Sequence, residues 1–342
     1  MLKSGIKWSL LLGCFAVLYA CQKDTETVQF PALMEIPTGF PEIEHPADNA
    51  FTLERWELGK KLFFDPIMSS DKSISCASCH DPALAFSDKL AFSLGVENRE
   101  GTRNASPLTN LAWHPYFTRE GGIPSLEMQV LVPLQEHNEF DYNIVLLSER
   151  LKNEPDYVAM ALAAYDREPD HFVITRALAC FERSLISGQS PYDQFNSQSD
   201  KDALTDAQQR GMQLFFGQRT NCSSCHAGFN FTNYEFENNG LYEQYTDPGR
   251  FRLTGDVSDI ARFKVPGLRN IGLTGPYMHD GSISSLEEVV EHYNSGGKFH
   301  PHKNKLVKPL GLTQVEKEDL VHFLEALTDE TFVSNPLFTT KN

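Results

Sequence analysis

The chain has 342 residues, 46 acidic against 30 basic side chains, a formal net charge of −16 and a hydrophobic share of 41%. That length is long for one core and comfortable for two. The acidity argues against a nucleic-acid binder and suits a basic protein partner, although plain solubility would demand the same balance.

The N-terminus reads as a signal peptide over residues 1–20. Lys3 and Lys7 precede an apolar run over 8–20, shorter than the roughly 20 apolar residues of a membrane span. Leu18-Tyr19-Ala20-Cys21 resembles a bacterial lipobox, which would make Cys21 a lipidated first residue and the only membrane attachment; cleavage without lipid is the alternative. Gln22 follows instead of Asp, which by resemblance to sorting rules points to the outer membrane and a periplasm-facing body. Residues 21–50, rich in Pro, Glu and Thr, read as a lipoprotein tether and extended arm.

Two phrases then repeat. Gly59-Lys60-Lys61-Leu62-Phe63-Phe64 leads into Cys76-Ala77-Ser78-Cys79-His80, and Gly211-Met212-Gln213-Leu214-Phe215-Phe216 leads into Cys222-Ser223-Ser224-Cys225-His226. Cys-x-x-Cys-His is the attachment signature of a c-type haem: two cysteines form thioethers and the histidine becomes the proximal iron ligand. Two such pairs could instead make a zinc site, but ribbon-type pairs lie about 15–20 residues apart, and the gap here is far longer. A dithiol redox pair would need one copy and no recurring histidine. The repeat divides the chain into an N-terminal domain over 51–200 and a C-terminal domain over 201–342.

Helical patterns fill the rest. Asp170 is a predicted N-cap for a helix with Phe172, Val173, Leu178, Phe181 and Leu185 on one face. Thr205-x-x-Gln208 and Thr313-x-x-Glu316 read as capping boxes, the second opening a helix that buries Leu320, Phe323, Leu324 and Leu327. Ser285-x-x-Glu288 caps a helix whose inward face carries Leu286, Val289, Val290 and Tyr293. Alternating strand patterns are scarce. The expected fold is mainly α, with two cytochrome c-like domains, each holding one covalent haem. Of seven cysteines, Cys14 and Cys21 belong to the export segment and four to the haem motifs. Cys180 reads as a small core residue, so no structural disulfide is needed.

At this point the chain resembles the bacterial di-haem cytochrome c peroxidase and MauG family. The matching segments are 58–65, 75–82, Arg103-Asn104, 125–129, Asn138-Glu139, 265–270 and 276–281, in family order from about residue 52 to 330. The resemblance implies a first haem that reacts with hydrogen peroxide and a second that relays or stores electrons. Gln129 and Glu139 stand where the family keeps its distal Gln and Glu; a carboxylate can shuttle a proton, whereas an amide can only position. Many family members carry a histidine that ligates the resting first iron, but Val96 stands at that place. His114 is the nearest other imidazole.

Fourteen residues after His279, where the peroxidase branch has Met and MauG has Tyr, this chain has Tyr293. Met278 and His279 are rival ligands to the second iron, and a hydrogen-bonded core tyrosine is the mundane alternative. Ten residues before Gln129 the family often carries Trp between the haems. Here that position is Arg119, so a relay would fall to Tyr116 or Trp113, since Phe117 does not readily form a radical. A calcium ion between the domains is also implied, held by Asn104 and the carbonyls of Thr274 and Pro276.

The implied activity is reduction of hydrogen peroxide to water with electrons from a small exported cytochrome c or similar donor. MauG-like oxidation of a partner protein through a high-valent di-haem state is the alternative, and a non-catalytic two-haem carrier a third. Nucleic acid is not an expected partner, and a homodimer is compatible with the sequence.

Overall fold

The computed structural model describes residues 33–197 and 199–339, so the signal peptide, Cys21 and the start of the tether lie outside the described residues. Two crossed helix pairs organise the chain. α1 (Leu53–Phe64) packs across α6 (His171–Arg183), and α8 (Asp206–Phe216) packs across α11 (Gln314–Glu325). Each crossing brings two backbones together at a glycine. A methyl group on Gly59 would lie 1.9 Å from Ala177 O, and one on Gly211 would lie 1.9 Å from Asp319 O. Beside each glycine two phenylalanines interlock: Phe63 with Phe181 at 5.1 Å between centroids, and Phe215 with Phe323 at 5.2 Å.

The remaining helices, numbered in chain order, are α2 (Leu126–Gln129), α3 (Leu131–Gln135), α4 (Ile144–Lys152), α5 (Pro155–Tyr165), α7 (Pro191–Asn196), α9 (Phe251–Thr254), α10 (Leu286–Ser295) and α12 (Glu330–Val333). One two-residue antiparallel pair, β1 (Phe236–Glu237) with β2 (Phe263–Lys264), is the only named sheet among the described residues. Around the first helix pair lies a core containing Trp56, Phe63, Phe86, Leu147 and Phe181, joined by Phe332 and Phe338 from the far end of the chain. The second core gathers Phe215, Phe231, Leu286, Val290, Phe323 and Leu327.

Local signals explain the helix starts. Asp170 Oδ1 accepts from Val173 N at 2.9 Å, and the capping boxes at Thr205/Gln208 and Thr313/Glu316 are both closed. Ser285 Oγ accepts from Glu288 N, while the Glu288 carboxylate returns to Ser284. Val173, Leu178, Phe181 and Leu185 are buried as the pattern predicts. Phe172 departs from it: its ring is half-buried, beneath the guanidinium groups of Arg167 and Arg176. Cys180 is buried and free, and the five described cysteines form no disulfide. Among the described residues no helix is long and apolar enough to cross a membrane.

A second repeat emerges from the loops. Asn110 and Asn270 both adopt left-handed backbone, at φ 59° and 60°. Their N–H groups donate to Leu185 O and Leu327 O, and their Oδ1 atoms accept from Ser187 N and Asp329 N, each at 2.8 Å. Further on, Thr118 and Met278 are again left-handed, isolated bridges join Phe117 to Ile123 and Tyr277 to Ile283, and Ser125 and Ser285 cap α2 and α10. In this register Arg119 corresponds to His279, Gln129 to Val289 and Pro133 to Tyr293.

Candidate haem sites

Both Cys-x-x-Cys-His motifs open with one turn of 3-10 helix, Cys76–Ser78 and Cys222–Ser224, and His80 N and His226 N donate to the carbonyls of Cys76 and Cys222. Each imidazole is then fixed by its far nitrogen. His80 Nδ1 lies 2.8 Å from Phe86 O, and His226 Nδ1 lies 3.0 Å from Phe231 O. Both phenylalanines are left-handed, which turns those carbonyls back onto the rings. With Nδ1–H donating, Nε2 carries the free lone pair an iron needs. Burial pushes both histidines below the ordinary range and keeps them neutral. It also pushes the four thiols up, Cys79 to about 11, so that without a cation they rest protonated. Among the described residues no group of three His, Cys, Asp or Glu side chains is placed to hold a metal ion directly. The residues fit covalent haem.

Close enough to act on both cysteines of the first motif, Glu139 is a half-buried residue whose carboxyl is pushed up to about 7 by desolvation and, less, by Glu136. Gln129, at the end of α2, has a buried Oε1 with no hydrogen-bond partner. A buried acceptor left without a partner is open to a proton-bearing ligand. The loop carrying Val96 is pinned to this spot. Val96 N donates to Glu139 O at 2.9 Å, and Gly95 permits the approach, because a methyl there would meet Asn138 O at 2.1 Å. Val96 is 1% exposed, so the position holds a buried side chain that cannot bind iron.

His114 lies elsewhere. Its ring stacks on Phe117 and meets Tyr234 edge-on at 5.2 Å, in the loop after the second haem motif. Its Nδ1 has no hydrogen-bond partner, and burial pushes the ring down to about 3, with Lys264 adding to the effect.

Glu182 on α6 escaped the sequence reading. Its carboxyl is pushed up to about 8 by burial and acts on Cys76 of the first motif. The crossed-helix repeat would have exposed it, because the matching residue of α11 is Leu324, a core side chain.

At the second site Tyr293 lies on the face of α10 that buries Leu286 and Val290. Burial pushes its hydroxyl up to about 12, against a hydrogen bond with Asn239, and Cys222 and Cys225 of the haem motif are close enough to act on it. A free phenolate is thus disfavoured there; an anionic Tyr293 needs a cation, and ferric iron is one. Met278 Sδ accepts from Asn239 Nδ2 at 3.2 Å. His279 stacks on Phe263 at 4.2 Å and packs near Tyr245.

Between the halves, the donor set for a bridging calcium does not fit. Arg119 Nη2 donates to Asn104 O at 2.7 Å and lies 3.3 Å from Asn104 Oδ1, so both Asn104 oxygens face a guanidinium. Burial pushes Arg119 down to about 10, which leaves it a cation at neutral pH. Of the expected Asn104, Thr274 and Pro276 set, Asn104 thus has both oxygens turned to a cation already in place. The aromatic candidates for a relay both cross to the second half. The Tyr116 hydroxyl donates to Tyr234 O and its ring stacks on Phe236, while Trp113 meets Phe229 edge-on at 5.3 Å.

Two histidines presented at Nε2 beside paired thiols, on a mainly helical frame built twice, define a protein of the two-haem c-type class. The family model described as di-haem cytochrome c peroxidase matches residues 53–202. The methylamine utilization protein MauG of Methylorubrum extorquens is 36% identical over 95% of this chain and 94% of its own length. The cytochrome-c peroxidase IdrP1 of Denitromonas iodatirespirans is 33% identical over 93% of this chain and 92% of its own. Among solved structures, a MauG-like protein associated with microbial copper homeostasis superposes with a TM-score of 0.85 at 32% identity, covering 89% of this chain and 98% of that one. The di-haem peroxidase BthA of Burkholderia thailandensis, at 22% identity, shares the fold with a TM-score of 0.71 over 83% of this chain and 88% of that one. The chain belongs to the di-haem cytochrome c peroxidase and MauG family, and is an oxidoreductase carrying two c-type haems.

Proposed function

We propose that this protein is an exported peroxidase that reduces hydrogen peroxide to two waters, taking two electrons from a small cytochrome c or similar donor. Its two cytochrome c-like domains, over 51–200 and 201–342, each attach one haem, through Cys76, Cys79 and His80 and through Cys222, Cys225 and His226. The signal peptide and the lipid at Cys21 place it at the outer membrane, facing the periplasm.

The observation that carries the reading is Glu139: a carboxyl poised near neutrality, close enough to act on Cys76 and Cys79 of the first motif, with Val96 bonded to its backbone. Bound haem supplies an iron that delivers electrons to the O–O bond. Glu139 takes the proton from one peroxide oxygen and returns it to the other as the bond breaks, so that the leaving oxygen departs as water. Gln129 orients the peroxide through its amide. Tyr293 would hold the second iron and, as a hard anionic donor, would favour its ferric state.

The MauG-like alternative, oxidation of residues on a partner protein, draws on Tyr293 and on the 36% identity to MauG. Peroxide reduction is preferred because it demands no dedicated substrate protein. The test is steady-state oxidation of a reduced small cytochrome c by the holoprotein with added peroxide. Turnover that scales with peroxide supports the proposal. Consumption of peroxide without oxidation of any small donor would move the assignment to the alternative.

A further inference from the structure

Asn104 is where the two copies of the loop repeat meet. Its N–H donates to His279 O at 3.0 Å. Its Nδ2 donates to Leu90 O at 3.0 Å, which fixes the amide so that Oδ1 is presented away from that carbonyl. Arg119, the repeat counterpart of His279, closes the other side with Nη2 on the backbone and side-chain oxygens of Asn104. The Arg119 backbone is itself anchored, its carbonyl accepting from Lys264 N on β2 at 2.7 Å. One copy of the loop therefore grips Asn104 through a carbonyl and the other through a cation.

Uncharged oxygens converging on a cation are the donor type calcium takes, usually completed by carboxylates. Three carboxylates act on Arg119, and each has other partners: Asp280 accepts from the Tyr242 hydroxyl at 2.7 Å and from Ser282 N at 3.1 Å. Asp247 binds the Arg103 guanidinium in two bonds of 2.7 and 2.9 Å, and Glu120 lies on the same guanidinium. A divalent ion at Asn104 would have to displace Arg119 or stand against it, with the Lys264 ammonium also near. Like charges at such separations in a poorly solvated interior repel strongly.

We propose that the Arg119 guanidinium is a built-in cation that takes the place of a bridging calcium ion, clamping Asn104 between the halves and making the haem sites independent of calcium. The protein gives up the oxidisable Trp side chain often found at that position in its relatives and gains a tie that no chelator removes. This inference stands whichever oxidation the haems perform.

The test uses the full-length holoprotein, dialysed against EGTA, with calcium measured by elemental analysis and haem absorption and thermal unfolding recorded before and after. The expected result is no stoichiometric calcium, unchanged haem bands and an unchanged unfolding temperature. One calcium per chain surviving dialysis, or a shift of the haem bands on chelation, would overturn the proposal. In Arg119→Met, which removes the charge at similar length, the unfolding temperature should fall by several degrees and partly recover with millimolar calcium, while Arg119→Lys should fall less. An Arg119→Met protein unfolding at the wild-type temperature would also overturn it. Should that variant fail to fold, the wild-type measurements decide.

Discussion

The two halves of this protein share a frame and differ on one side of it. Both cross a pair of helices at a glycine, both interlock phenylalanines beside the crossing, and both hold a histidine by Nδ1 against a phenylalanine carbonyl. The loop that follows is also repeated, down to the left-handed asparagine and the serine cap. After the cap the halves part. α10 runs unbroken through ten residues and delivers Tyr293 to the second site. In the first half α2 gives way to α3 across the single residue Val130, whose backbone is still helical, and Pro133 of α3 falls at the position that corresponds to Tyr293. Proline removes a backbone donor and carries no ligand, so the first half cannot repeat the arrangement of the second. The chain leaves α3 at Gln135, and the loop that follows carries Glu139. The lesson is that one scaffold offers a side chain able to ligate iron, or none, according to the residue at a single helical position.

Four experiments would break or sharpen that contrast. The largest effect is expected from Tyr293→Met, which exchanges a hard anion for a neutral thioether and should raise the second haem's potential by on the order of a few hundred millivolts. An unchanged potential in a redox titration would remove Tyr293 from the iron. Glu139→Gln should slow peroxide cleavage by about 10³-fold with both haems still attached, since that is the usual scale of a lost acid/base group. Stopped-flow kinetics reports it, and unimpaired turnover would end the acid/base role. Gly59→Ala and Gly211→Ala should each cost about 3 kcal/mol or more, because both methyl groups would collide with backbone oxygens. Denaturant unfolding that finds one of them harmless would show that the two crossings are not equivalent.

The smallest effect is in pH. Burial raises the Glu139 carboxyl to about 7, so its carboxylate fraction grows as pH rises through that value. A base must begin as the carboxylate. The peroxide reaction should therefore quicken about tenfold between pH 6 and 8, and a flat profile would assign the proton transfer to another group.

The parts of this design that were legible in the sequence depend on residues close together in the chain. The haem motifs are five residues long, the caps at Asp170, Thr205 and Thr313 span one turn, and the periodicity that buries Phe181 and Phe323 lies within single helices. Tyr293 was reachable because α10 is regular from its cap onward. Part of what escaped lies in irregular backbone. The grip of Arg119 on Asn104 is set by the left-handed Thr118 and by loop paths that no hydrophobic period encodes. Glu182 escaped because a mid-helix glutamate ordinarily marks a solvated face. Phe172 misled in the opposite sense, since two arginines cover a ring that the helical pattern assigns to the core.

The measurement that tests the contrast most directly is rapid mixing of the as-isolated, fully ferric holoprotein with one equivalent of hydrogen peroxide, followed by absorbance. If Val96 leaves the first site open and Tyr293 closes the second, the ferric spectrum should be lost at once, without prior reduction. If nothing happens until one haem has been reduced, a ligand closes the first site at rest, and the division into an open and a closed half is wrong.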